Sequence, residues 1–86
     1  MTFDMTKLKT VAEIGQRVRQ IRKEQGVSQE TLAGLAGTGP RYVSELERGK
    51  ETIRLKELTK LLDAMGAGIY IMTESEIEEW KRSRSI

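Results

Sequence analysis

Cysteine and histidine are missing from this sequence, and many protein chemistries depend on them. Of the 86 residues, none is a cysteine or a histidine. This excludes disulfide scaffolds, thiolate or imidazole metal sites, and catalysis by a cysteine nucleophile or a histidine base. Glu78 and Glu79 are a poor carboxylate pair for catalysis, because sequence neighbours point to different faces of a helix. We therefore expect a protein that is not an enzyme and that holds no metal or cofactor.

Long apolar runs are also missing. No run approaches the roughly 20 apolar residues that a helix needs to cross a bilayer, and the N-terminal residues MTFDMTKLK lack the apolar centre of a signal peptide. These absences favour a cytoplasmic protein with no membrane partner. A chain of 86 residues makes one domain with a modest core, so dimerisation would add stability.

Charge is present but unevenly distributed. The formal net charge is only +2. Basic residues outnumber acidic ones over residues 7–60, whereas acidic residues outnumber basic ones over residues 61–86. A basic balance favours a polyanionic partner, although an excess this small also fits an ordinary solvated surface.

Capping residues and glycines divide the first part of the chain into four short helices. Thr10 and Glu13 fit a capping box, which predicts a first helix over about residues 11–25. Ser28 caps a second helix, and Pro40 occupies the favoured first position of a third. A fourth apolar pattern follows at helical spacing over residues 55–65. The predicted helices end at Gly26, Gly37, Gly49 and Gly66.

The apolar period changes after Gly66. Residues 69–72 form a β-branched and aromatic run that predicts one strand, for which this chain holds no partner strand. The polar residues that follow are expected to form a flexible tail, although residues 75–78 could start a short helix. The predicted organisation is an N-terminal arm (1–9), a helical domain (10–66), a strand (67–73) and a tail (74–86).

The second and third predicted helices are separated by Gly37, Thr38 and Gly39, which is a helix-turn-helix pattern. A helix fits the major groove of B-DNA, which is about 12 Å wide, and its N-terminal side chains reach the base edges first. Arg41 is the strongest candidate, because its planar guanidinium can bond guanine O6 and N7 together. The amides that open the second helix would bind a phosphate. Expected base contacts are Pro40, Arg41, Tyr42, Ser44 and Glu45, and expected phosphate contacts are Ser28 and Gln29.

Two of these side chains also have an ordinary explanation. An exposed arginine such as Arg41 is often simply solvated, and Tyr42 could cover the core instead of reaching a base. Spacing alone leaves these alternatives open.

The segment VSQETLAGLAGTGPRYVSELERGK resembles the Xre and Cro family of helix-turn-helix repressors over roughly residues 14–66. The resemblance implies the five-helix fold of lambdoid phage repressors and an ion pair between Arg22 and Glu47. It also implies that Gln29 lies against the DNA backbone and assists the third helix. The sequence departs from the family at Gly39 and Pro40, where relatives often carry Ser, Thr or Gln, so the bases that are read cannot be predicted. It also departs at Gly34, within the second helix, and at Arg54, where a capping Ser or Thr is usual.

The arrangement of a strand directly after the fourth helix is similar to that of the HipB-like antitoxins. In that family the C-terminal strand pairs with its symmetry mate across a dimer. A two-fold dimer implies an inverted-repeat operator with half-sites about one turn, or a multiple of it, apart. The resemblance also implies a HipA-like serine/threonine kinase toxin as partner. Dimer contacts are then expected at Ile69, Tyr70, Ile71 and Met72, further phosphate contacts at Lys50 and Lys56, and an apolar partner contact at Ile77 and Trp80.

We therefore expect an all-α protein, a lambda-repressor-like helix-turn-helix bundle of four to five short helices with a C-terminal strand that pairs across a dimer. The expected function is a nucleoid-associated, DNA-binding repressor of its own operon that serves as the antitoxin of a HipA/HipB-like toxin–antitoxin system. One alternative is a free-standing Xre-type regulator, phage-derived or controlling restriction genes. Another is a protein-interaction module that has lost DNA binding. For residues 69–72 the alternative is extended chain packed on the first and fourth helices.

Overall fold

The computed structural model describes residues 7–84, which form a bundle of five helices with no strand in that range. This confirms the predicted all-helical fold. No helix within the described range is long and apolar enough to cross a membrane. The helices are α1 (Val11–Glu24), α2 (Gln29–Ala36), α3 (Pro40–Glu47), α4 (Leu55–Ala64) and α5 (Glu74–Arg84).

Side-chain caps set the starts of α1 and α2. The Oγ1 atom of Thr10 accepts a hydrogen bond from the Glu13 amide at 3.1 Å, and the Glu13 carboxylate accepts from the Lys9 amide at 3.1 Å. In the usual capping box the carboxylate accepts from the amide of the capping residue itself, whereas here it accepts from the residue before, Lys9. Ser28 caps α2 by accepting from the Thr31 amide at 3.0 Å. The predicted terminating glycines have positive φ: Gly26, Gly37, Gly49 and Gly66.

The core lies between α1, α2, α3 and α4. α3 packs against both α1 and α2, and α2 also packs against α4. α1 and α3 approach closely because Gly15 has no side chain: a Cβ atom there would collide with the carbonyl group of Leu46. The buried apolar residues are Val18, Leu32, Ala33, Val43, Leu46, Leu58, Leu61, Leu62 and Met65.

The C-terminal tail requires a correction. The sequence predicts a flexible tail from residue 74, in which residues 75–78 could start a short helix, whereas the structure places all of Glu74–Arg84 in α5. A capping box at Thr73 opens this helix: Thr73 Oγ1 accepts from the Glu76 amide at 3.1 Å, and the Glu76 carboxylate accepts from the Thr73 amide at 3.0 Å. Acidic side chains in its first turn and basic ones in its last turn also suit the helix dipole.

The segment between α4 and α5 has no regular secondary structure in this single chain. Ile69, Tyr70 and Ile71 are 48%, 85% and 95% exposed, and Met72 is half-buried. Tyr70 and Ile71 therefore do not pack on α1 and α4, which argues against the extended-chain alternative. Strand pairing across a dimer stays a prediction.

Candidate nucleic-acid interface

A tight turn sets α3 beside α2. Gly37 ends α2 in the left-handed region at φ 72°, which a residue with a side chain rarely adopts. The Thr38 amide then donates to the Ala33 carbonyl at 2.9 Å, and extended backbone at Gly39 leads into Pro40 as the first residue of α3. Two eight-residue helices joined in this way form a helix-turn-helix unit.

The first turns of α3 present charged side chains to solvent. Arg41 has 88% of its side chain exposed, and its Nε atom donates to Glu45 Oε1 at 3.0 Å. Lys50, beyond the end of α3, donates to the same oxygen at 3.1 Å. These hydrogen bonds, first from Lys50 and then from Arg41, hold the pKa of Glu45 below its usual value. Pro40 is exposed and Ser44 is half-buried on the same helix.

Tyr42 takes a different direction from its neighbours. Its ring is half-buried and packs against the core, and its hydroxyl donates to the Arg54 carbonyl at 3.1 Å. Burial raises the pKa of that hydroxyl. The placement favours the core-covering interpretation of Tyr42 over contact with a base, and it also ties α3 to the residue that precedes α4.

A buried ion pair connects α1 to the end of α3. Arg22 donates from Nε and Nη2 to the two carboxylate oxygens of Glu47, at 2.7 and 2.9 Å, and from Nη1 to the Val27 carbonyl at 2.8 Å. Gln29 donates from Nε2 to Glu47 Oε1 at 3.1 Å. Burial alone would raise the pKa of Glu47, but the hydrogen bonds from Arg22 and Gln29 outweigh burial, so that pKa lies below its ordinary value.

The hydrogen bond from Gln29 to Glu47 links the start of α2 to the end of α3. Gln29 opens α2, where backbone amides lack helical partners and suit an anion. Because its side chain bonds Glu47, the start of α2 and the end of α3 are held together. The expected phosphate contacts Ser28 and Gln29 thus lie at the start of α2, and Gln29 contacts the helix that carries Arg41.

Comparison with known proteins agrees with this geometry. The helix-turn-helix family profile, of the Xre type, matches residues 18–70. The chain belongs to the Xre-type helix-turn-helix family. Its members are DNA-binding transcriptional regulators, so this protein is a helix-turn-helix transcriptional regulator.

This helix-turn-helix regulator is similar to two proteins in sequence and to a third in fold. The uncharacterized HTH-type transcriptional regulator y4mF of Sinorhizobium fredii is 41% identical over 70 residues, which are 81% of this chain and 92% of y4mF. The restriction-modification controller protein C.AhdI from Aeromonas hydrophila is 40% identical, with a TM-score of 0.62 over 66% of this chain and 83% of C.AhdI. A chain of the HipA–HipB–O2–O3 complex shares the fold at 17% identity, with a TM-score of 0.75 over 81% of this chain and 99% of that one.

The other predicted site residues of the regulator lie on α4 and α5. Lys56 is exposed in the first turn of α4. Ile77 and Trp80 are half-buried on α5, where the Arg84 guanidinium stacks 4.7 Å from the centre of the Trp80 ring.

Two features of the interface were not predicted from the sequence. The shared contacts of Glu45 with Arg41 and Lys50 involve spacings of four and five residues. The first spacing is the ordinary one for side chains on a helix face and could have been found. The second crosses the end of α3 and depends on the chain turning at Gly49. The Gln29 contact with Glu47 spans two helices and has no local sequence signal.

Proposed function

We propose that this regulator is a homodimeric, sequence-specific repressor that binds an inverted-repeat operator. The observation that carries the proposal is the exposure of Arg41 on the first turn of α3, where side chains of a recognition helix reach base edges. Pro40, Ser44 and Glu45 share the α3 surface. Phosphate contacts come from Ser28 and Gln29 at the start of α2 and from Lys50 and Lys56.

The dimer is proposed from the exposed apolar segment between α4 and α5. Ile69, Tyr70 and Ile71 are exposed, and a strand formed by this segment would have an edge that needs a partner. Pairing with the same segment of a second copy would cover them. Two recognition helices related by a two-fold axis then read half-sites about 34–36 Å apart on one DNA face.

Within this function we favour the role of antitoxin in a HipA/HipB-like toxin–antitoxin system. The regulator would repress its own operon and hold a serine/threonine kinase toxin inactive. Support comes from the fold shared with nearly the whole of a chain in the HipA–HipB complex. The half-buried Ile77 and Trp80 on α5 offer an apolar anchor for such a partner.

A second candidate is a free-standing regulator, such as a controller of restriction-modification genes. The observation that favours it is the 40% identity to C.AhdI, far above the 17% identity to the chain of the HipA–HipB complex. Both candidates use the same DNA-binding surface, so the partner protein decides between them.

Isolation of the tagged protein from its native cells separates the two candidates. Mass spectrometry after nuclease treatment identifies the proteins that co-purify. A kinase-like protein in stoichiometric amount supports the antitoxin role. A homodimer without such a partner contradicts that role and favours the free-standing regulator.

Replacing Arg41 by alanine tests DNA binding itself. Loss of one bidentate guanine contact per half-site should lower operator affinity by about tenfold or more, and base preference should relax there. Duplex binding is measured by fluorescence anisotropy at two salt concentrations. Arg17→Ala is the matched control, since it removes an equally charged, exposed side chain from α1. Unchanged affinity and base preference in Arg41→Ala would contradict the recognition role of α3 and favour a protein-interaction module.

A further inference from the structure

Arg41, Glu45 and Lys50 form one charged cluster on α3 and the residues just after it. A single oxygen, Glu45 Oε1, accepts from Arg41 Nε at 3.0 Å and from Lys50 Nζ at 3.1 Å. The Glu45 side chain is 21% exposed, whereas that of Arg41 is 88% exposed. The Glu45 side chain is therefore mostly covered, and its carboxylate is an anchor for a guanidinium that projects into solvent.

The hydrogen bond between Arg41 Nε and Glu45 leaves the two Nη atoms of Arg41 available to bond a base. Glu45 takes the Nε hydrogen, and within residues 7–84 neither Nη atom of Arg41 makes a hydrogen bond. A guanidinium that bonds guanine O6 and N7 together needs two of its donors on one edge. An anchor at Nε also restricts the long side chain before DNA arrives, which reduces the conformational entropy lost on binding.

We propose that Glu45 is a positioning residue that holds Arg41 so that its Nη atoms read a guanine in each half-site. The inference rests on the proposed DNA binding by α3, and it gives Glu45 a supporting role in place of a base contact of its own. Lys50 contributes by balancing the carboxylate charge, which would otherwise repel the phosphates nearby.

The variant Glu45→Gln distinguishes positioning from a merely structural role. It removes one negative charge beside the DNA, so affinity for random duplex should rise. It also weakens the anchor of Arg41, because a neutral amide oxygen accepts a weaker hydrogen bond from a guanidinium than a carboxylate does. Discrimination for guanine should therefore fall while non-specific affinity rises. A structural defect would lower both together.

The experiment begins with selection of duplexes from a random pool by the wild-type protein. Each guanine of the selected half-site is then replaced by 7-deazaguanine, which lacks the N7 acceptor but keeps O6. Wild-type protein should lose about tenfold in affinity at one guanine per half-site. Glu45→Gln should lose less than about threefold at that guanine and bind random duplex more tightly than wild type.

Two further variants serve as controls. Glu24→Gln removes the same charge at the exposed end of α1 and should keep the tenfold loss. Glu45→Asp keeps the charge but shortens the side chain. This variant should lose discrimination for guanine without gaining affinity for random duplex. It takes the place of Glu45→Gln if Glu45→Gln does not fold.

The outcomes separate the inference from the proposed function. A full tenfold loss in Glu45→Gln, or a selected half-site without an N7-dependent guanine, would overturn the positioning role and leave DNA binding intact. Failure of the wild-type protein to enrich any duplex would instead overturn the proposed function.

Discussion

Arg22 carries a positive charge in a place where water hardly reaches it. The residue is 9% exposed, and its charge is balanced by one carboxylate, that of Glu47. Taking both charges out of water is costly, and the bidentate geometry with additional bonds to Val27 and from Gln29 offsets that cost. Removing one partner therefore affects stability more than the strength of any single hydrogen bond would suggest.

Glu47→Gln should lower the free energy of unfolding by about 3 kcal/mol at neutral pH, because it leaves the Arg22 charge buried without a counter-charge. Urea unfolding followed by circular dichroism measures the change. Glu24→Gln, an exposed position on α1, should change it by less than about 0.5 kcal/mol.

The same pair predicts a pH dependence. The folded-state pKa of Glu47 lies below its unfolded value, so the stability it contributes is present above the unfolded pKa of about 4.3 and is lost as the pH falls through the folded pKa. The difference between wild type and Glu47→Gln should therefore shrink on acidification in that range. If the difference in unfolding free energy between wild type and Glu47→Gln stayed constant down to the folded pKa, the ion pair with Arg22 would not be what lowers the pKa of Glu47.

At the scale of elements, α1 and α3 are held together by close backbone approach. Gly15 on α1 faces the backbone at Leu46 on α3 without room for a methyl group. Gly34 on α2, by contrast, faces open space. The two helical glycines thus have opposite roles, although neither the helix pattern nor the spacing distinguishes them.

Gly15→Ala should destabilise the protein, since the new Cβ would force α1 and α3 apart, with a loss of about 1–3 kcal/mol. Gly34→Ala is the matched variant and should stabilise by up to about 1 kcal/mol, because alanine favours a helix and meets no neighbour at that position. Thermal unfolding of both variants measures the contrast. Equal effects of the two substitutions would show that α1 and α3 are not in close contact at Gly15.

Local signals account for most of what the sequence predicts about these elements. Thr10, Ser28 and Pro40 mark helix starts correctly, because a cap or a first-turn proline acts through its immediate neighbours. For α5 the sequence indicates only that residues 75–78 can start a short helix, because the polar composition suggests a flexible tail; the helix reaches Arg84 and opens with the same kind of box, at Thr73 and Glu76. The direction of Tyr42 and the cluster around Glu45 depend on how α3, α4 and the turn at Gly49 pack, which no local pattern encodes.

At the scale of the whole molecule, the helical core leaves the apolar segment between α4 and α5 uncovered. The core residues come from α1 to α4 and from the residue after α4, whereas Ile69, Tyr70 and Ile71 project from the chain beyond them. A monomer would keep these side chains in water. Dimer formation and operator binding are therefore expected to be coupled, because a two-fold operator is read well only by a paired protein.

Ile71→Lys tests that coupling. The side chain is 95% exposed in the single chain, so lysine should leave the monomer fold unchanged, whereas pairing would bring one charge from each copy close to the other. The dimer dissociation constant should rise by about tenfold or more, equivalent to about 1.4 kcal/mol, and operator affinity should fall with it. Sedimentation equilibrium measures the dimer dissociation constant, and fluorescence anisotropy measures the operator affinity.

Leu35→Lys, at a 68% exposed leucine on α2, is the matched control and should leave the dimer intact. An intact Ile71→Lys dimer would exclude strand pairing at residues 69–72, and a second copy would then have to join through another surface to place two copies of α3 on one operator.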